Sequence, residues 1–180
     1  DVKIGIVTGA NAFFILDRYS AKAHKLPNSC LYPVLAKLSQ VPGIELSKKQ
    51  LTENVRANSR CLLLDTRGRL GSLKSVRTYL ETFPESRRES TATFKKRKTW
   101  HRPNDGNIPD AFFSYMSDHG PRLVLNKAKA TCPNSIHRIY FKSTLQRSQQ
   151  KLIAISLLTT FSQLSAKAAC ICATTGPSTR

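Results

Sequence analysis

The chain has 180 residues, 40% of them apolar and 8% aromatic, enough for one sizeable core, which excludes wholesale disorder. Its 29 Lys and Arg face 11 Asp and Glu, a formal charge of +18, so the compact state repels itself unless a polyanion offsets the excess. Nucleic acid meets that need best, because phosphates release condensed counterions when cations neutralise them. A membrane meets it less well, since the longest apolar stretch, Leu152 to Leu164, is broken by Ser156, Thr159, Thr160 and Ser162.

In chain order, Val2 to Val7 alternates β-branched residues with Lys3 and Gly5. Thr8, Gly9, Ala10 and Asn11 then interrupt the run before Phe13 to Leu16, a pattern that predicts strand, tight turn and strand, with Asn11 in a left-handed conformation. Pro27 and Pro33 bracket a loop. Ser47 followed by Gln50 is a capping-box start for a helix through Leu51 and Val55. Leu62 to Leu64 read as a short buried strand. Leu73, Val76, Leu80 and Phe83 fall at helical spacing, and Pro84 supplies a stop.

The stretch Arg87 to Arg102 sets Phe94 and Trp100 among Arg87, Arg88, Lys95, Lys96, Arg97, Lys98 and Arg102, against Glu89; it cannot form a core by itself. Asn104 to Asn107 is a turn. Strands are expected over Ala111 to Met116, Arg122 to Asn126 and Ile136 to Lys142, separated by turns at His119-Gly120-Pro121 and Cys132-Pro133-Asn134. Ile153, Leu157, Leu158, Phe161 and Leu164 should line one face of a helix packed on that sheet. The fold class is α+β: a small antiparallel sheet with packed amphipathic helices, spanning 1–165, followed by an atypical, poorly ordered tail over 166–180.

Val7 to Asn11 superficially suggests a dinucleotide-binding turn, but Phe13 and Phe14 stand where further glycines are needed. In the basic stretch, cations suit phosphates, and Trp100 beside Arg97 and Arg102 can stack on a base or else sit in the core. Asn126, Asn134, His137 and Arg138 put short amides and cations on and between two strands; amides suit adenine edges and Arg suits guanine. Period two places Ile136, Arg138 and Tyr140 on one face, with His137, Ile139 and Phe141 on the other, so His137 is expected half-buried as a structural histidine. No catalytic motif appears. Asp105 and Asp110 are only a weak metal pair, and the four histidines lack metal-ligand spacing. The five scattered cysteines read as reduced, buried thiols. With no secretory signal, the expected compartment is cytoplasmic, and Asp1 in place of Met reads as the start of a fragment.

The order of these segments resembles the C-terminal, target-recognition region of type II restriction-modification adenine-specific DNA methyltransferases. The resemblance runs over residues 1 to about 165 through Gly5 to Asn11 with Phe13-Phe14, Lys95 to Arg102, Pro109 to Phe113, Gly120 to Asn126, Asn134 to Arg138, and Leu157 to Phe161. It implies a domain that grips duplex DNA while an adenine is flipped into a pocket built by a catalytic domain or subunit that binds S-adenosylmethionine. That catalytic half, with its Pro-Pro motif, is not matched, so no activity is expected of the chain alone. The residues implicated are Asn11, Arg97, Trp100, Arg102, Asn126, Asn134, His137 and Arg138, with Lys95, Lys96 and Lys98 for phosphates. The family's acidic, glycine-rich continuation is not seen in Lys167 to Arg180, which reads as truncation. A stand-alone basic RNA-binding or protein-interaction domain is the competing reading.

Overall fold

The computed structural model describes residues 1–114 and 120–165. From the N-terminus the elements are β1 (Val2–Ile4), α1 (Asn11–Phe14), β2 (Ile15–Leu16), α2 (Arg18–Ala23), β3 (Leu31–Pro33), β4 (Glu45–Leu46), α3 (Lys48–Arg56) and β5 (Leu62–Leu64). They continue with α4 (Lys74–Glu81), α5 (Glu85–Ser90), α6 (Ala92–Lys95), β6 (Ala111–Ser114), β7 (Leu123–Asn126), β8 (Ile136–Ile139) and α7 (Arg147–Ser156). A five-stranded sheet has the order β1-β8-β6-β7-β4, and a three-stranded sheet the order β2-β5-β3. Strand pairings are antiparallel except β4 along β7. A single bridge from Val34 to Thr131 ties the two sheets together, and another, Ile6 with Pro133, extends the contact between the β1 and β8 ends of the larger sheet. The architecture is α+β, as expected.

Local chemistry sets the helix starts. Ser47 Oγ accepts the Gln50 N–H at 3.1 Å and caps α3, but the Gln50 amide donates to Asn54 Oδ1 at 3.2 Å, so the capping box is half made. Asp17 caps α2 by accepting the Ser20 N–H at 2.8 Å. The helix before Pro84 forms as α4 and buries Val76 and Leu80, with Phe83 buried just beyond it.

Strands β6, β7 and β8 alternate between two cores. Phe112, Val124 and Ile136 point to one side, with Leu35, Val41 and Leu46; Ala111, Leu123 and Leu125 point to the other, against Ala154 and Leu157. A third core lies on the three-stranded sheet. It gathers Phe14, Leu63, Leu64, Val76, Leu80, Phe83 and Phe94, with Phe13 and Trp100 packed at its edge.

Two expectations are corrected. The first strand does not turn back on Phe13 to Leu16: β1 pairs with β8, Val2 opposite Ile139, while residues 11–14 form a helical turn and Ile15 and Leu16 join the other sheet. Gly9, at φ +82°, makes the left-handed step, and Asn11 is not among the residues of positive φ. The second correction concerns α7. It ends at Ser156, short of the predicted span; Ala154 on it is fully buried against the sheet and Leu157 just beyond it half-buried, whereas Ile153 and, past the helix end, Leu158, Phe161 and Leu164 remain 38%, 48%, 80% and 61% exposed. Because the helix breaks after Ser156, the predicted apolar stripe does not run as one face over the sheet. The tail 166–180, and residues 115–119 at the end of the strand predicted over Ala111 to Met116 and in the turn after it, lie outside the described residues.

Candidate nucleic-acid interface

The basic stretch is fastened to the core by its aromatic residues. Phe94, on α6, is 3% exposed, and Trp100 is half-buried with its ring centroid 5.5 Å from Phe94, 5.4 Å from Phe83 and 6.1 Å from Phe14. Arg88 lies over the Trp100 ring at 5.2 Å, and Arg87 over Phe83 at 5.5 Å. Such edge and cation–π contacts contribute roughly 0.5–1.5 kcal/mol each beyond simple burial. Trp100 is therefore a core-edge residue under an arginine, not a free stacking platform.

Arg97 provides the second fastening. Its guanidinium donates to the carbonyls of Thr8 (2.9 Å) and Val7, both just past the first strand, and to that of Trp100 (3.1 Å) in its own segment. Burial lowers its pKa below the usual guanidinium range, yet a guanidinium stays protonated at any physiological pH. Gly9 explains how the segment approaches so closely, because a Cβ there would meet the Phe94 ring at 2.5 Å. At the other end, the Thr66 hydroxyl donates to the His101 carbonyl at 2.6 Å. Its one proton is thereby used, so the His101 Nδ1, 2.9 Å away, is the donor of that pair. Burial, then the nearby Arg102 charge, lowers the His101 pKa below its usual 6.5.

Lys95, Lys96, Lys98 and Arg102 are exposed, and among the described residues none has a carboxylate within ion-pair distance. They form a set of uncommitted cations on a segment whose backbone is pinned at both ends.

The remaining predicted residues divide by environment. Asn11 is exposed at the first position of α1, and Asn134 is exposed where its N–H donates to the Ile6 carbonyl at 3.0 Å. Asn11, Asn134 and Arg97 thus converge on residues 6–11. Asn126 does not join them: its amide donates to the carbonyls of Pro109 and Ala130, each at 2.8 Å, and accepts the Ala130 N–H at 3.0 Å, closing the loop after β7. Arg138 is 6% exposed, donating to the Ile4 carbonyl at 3.0 Å and pairing with both oxygens of Asp105, the nearer at 2.7 Å. Burial alone would raise the Asp105 carboxyl, but the Asn107 N–H and Arg138 outweigh it and hold it below 3.8. His137 is half-buried on β8, as expected. In this conformation the base-reading roles expected of Asn126 and Arg138 compete with these structural bonds.

Two arginines were missed by sequence reasoning. Arg60 donates to the carbonyls of Ile15 and Asn11, and Arg122 to those of Leu38, Val41 and Gly43. Their acceptors are backbone groups distant along the chain, so no local pattern announces them. The buried Cys30, Cys61 and Cys132 are free thiols; burial pushes Cys61 up to about 11 and Cys132 up to about 12, which keeps them protonated and unreactive. Among the described residues no cluster could hold a metal ion. Asp105 is committed to Arg138, and Asp110 accepts the Phe141 N–H at 2.8 Å. No described helix is long and apolar enough to cross a membrane.

Residues 1–169 match the C-terminal domain of the type II methyltransferase M.Eco57I. The chain belongs to that family. No curated protein matches it in addition. Within this methyltransferase C-terminal domain, the Val7–Asn11 turn does not fit S-adenosylmethionine: Phe94 fills the space beside Gly9, and Arg97 occupies the Val7 and Thr8 carbonyls. No methyl-transfer step is assigned to these residues.

Proposed function

We propose that this chain is the DNA-holding, target-recognition part of an adenine-specific DNA methyltransferase of a restriction-modification system. In this reading it works in the cytoplasm on duplex DNA, and a catalytic domain or subunit supplies S-adenosylmethionine binding and chemistry. The observation that carries the reading is the set of free cations, Lys95, Lys96, Lys98 and Arg102, on a segment pinned by Arg97 and the aromatic core. Fixing the backbone in advance lowers the ordering cost of binding, so each phosphate contact retains more of its counterion-release free energy. Asn134, exposed beside the turn where its N–H meets the Ile6 carbonyl, offers an amide suited to a base edge.

The test is fluorescence anisotropy with a labelled duplex across salt concentration. Lys95→Ala, Lys96→Ala and Lys98→Ala combined should weaken binding about tenfold or more at low salt and flatten the log–log salt slope by about 0.9 per lost phosphate contact. Arg97 is left intact because its loss would unpin the segment. Unchanged affinity and slope would remove the DNA-holding role from this surface. Displacement of the duplex by single-stranded RNA at equal concentration would instead favour an RNA-binding domain.

A further inference from the structure

The turn that receives Arg97 ends at Asn11, and Asn11 lines a cleft of about 600 Å³ beside Pro133, which bridges to Ile6. That volume lies within the roughly 300–1,000 Å³ typical of ligand sites. No carboxylate is among its described lining residues, which include Lys37, Ser59, Arg60 and Ser135.

The donors in this cleft are oriented by bonds outside it. The Ala10 N–H donates to Thr8 Oγ1 at 3.1 Å, and the Thr8 hydroxyl donates to Asn11 Oδ1 at 2.5 Å. With Asn11 Oδ1 taking the Thr8 hydroxyl hydrogen, the Asn11 Nδ2 hydrogens are left for another acceptor. Arg60 is held similarly. Its Nε and Nη2 donate to the Ile15 carbonyl at 2.8 and 2.7 Å, and Nη2 also to the Asn11 carbonyl at 2.9 Å, while Nη1 has no acceptor among the described residues. Gln40 braces the wall between them, accepting the N–H groups of Ala36 and Lys37 at 3.0 Å and donating to the Arg60 carbonyl at 3.3 Å. The Lys37 ammonium has no ion-pair partner among the described residues.

The cleft therefore presents Asn11 Nδ2, Arg60 Nη1 and the Lys37 ammonium, with two serine hydroxyls, to a ligand rich in acceptors and negative charge. Ile15, Ala36 and Pro133 add an apolar floor. We propose that this cleft is a phosphodiester subsite that seats one nucleotide unit of a bound DNA strand, its phosphate oxygens on the donors and its sugar on the floor. The inference rests on the DNA-holding reading and extends the contact from Lys95–Lys98 across the Thr8–Asn11 turn.

The experiment uses the 180-residue chain carrying Asn11→Asp and Lys37→Glu. Asp keeps an oxygen for Thr8 and replaces the free donor with an acceptor; Glu reverses an exposed charge. Thermal melting should match the unmodified chain, and if it does not, Lys37→Glu alone is used. Duplex affinity should fall about tenfold or more, with the salt slope smaller by about 0.9. Unchanged affinity and slope in a chain whose Lys95, Lys96 and Lys98 triple variant does lose binding would overturn the subsite and leave the broader reading standing. Unchanged binding in both would overturn both. Inorganic phosphate provides the other arm: if it raises the melting temperature in a manner abolished by N11D/K37E while duplex affinity is unaffected, the cleft holds a free anion and the nucleotide assignment fails.

Discussion

Residues 85–102 are rich in Arg and Lys and yet lie against the aromatic core, whereas residues 147–164 are rich in Leu and Ile and show most of them to solvent. The first segment works because two aromatic anchors, Phe94 and Trp100, are enough to dock it while long cationic side chains extend their charged ends into water. The second meets its sheet through Ala154, and Leu152, about 200° away around the helix, points outward with 66% of its surface exposed. Composition averages over a segment, but docking is decided by the few residues at the contact.

The largest expected effect tests the anchoring of the basic segment. Phe94→Ala should cost about 3–5 kcal/mol, since it empties a buried site bordered by Phe14, Phe83 and Trp100. Urea denaturation measures this directly. A cost below about 1 kcal/mol would mean the segment is a loosely held loop, and the contrast with α7 would disappear.

A smaller effect should come from the far end of that segment. His101 has a folded pKa below its ordinary 6.5, with burial the larger cause and Arg102 the second, so the folded state favours the neutral ring. Its stabilisation is complete above 6.5 and is lost as pH falls through the lower folded value, because the unfolded chain takes up the proton first. Melting temperature should therefore decline as pH drops from 7.5 to 5.5, and His101→Gln should decline less steeply. Equal slopes in the two proteins would show that His101 does not carry this pH dependence.

How much of this was legible in the sequence follows from the range of the interactions. The Ser47 cap, the Leu62–Leu64 strand, the Asn104–Asn107 turn and the Pro84 stop depend on neighbours, and each was readable. The supposed hairpin at Thr8–Asn11 failed because the partner of β1 is β8, far along the chain, and no local pattern competes with that pairing. The candidate site divided the same way. Exposed lysines follow from charge density, but whether an arginine is free or spent depends on which carbonyl it meets. Arg97 meets Val7 and Thr8, Arg138 meets Ile4, and Arg60 meets Ile15; none of these acceptors carries a signature in its side chain. The apolar stripe over residues 153–164 misled because α7 ends at Ser156, so the residues beyond it do not share one helical face.

The smallest effect belongs to α7 and the residues just beyond it. If its outer surface is open in solution, Leu152→Gln combined with Phe161→Ser should change stability by no more than about 0.5 kcal/mol, as for ordinary surface positions. Both side chains already stand largely in water, at 66% and 80% exposure, so little transfer free energy is at stake. Covered side chains behave differently, because burying each Leu or Phe contributes about 1.5–3 kcal/mol. A loss approaching that size, dependent on protein concentration, would mean that a second copy shields the helix. The same loss without concentration dependence would place the cover within the chain. Either result would make α7 as anchored as the basic segment, and the difference between the two regions would then lie in what covers them.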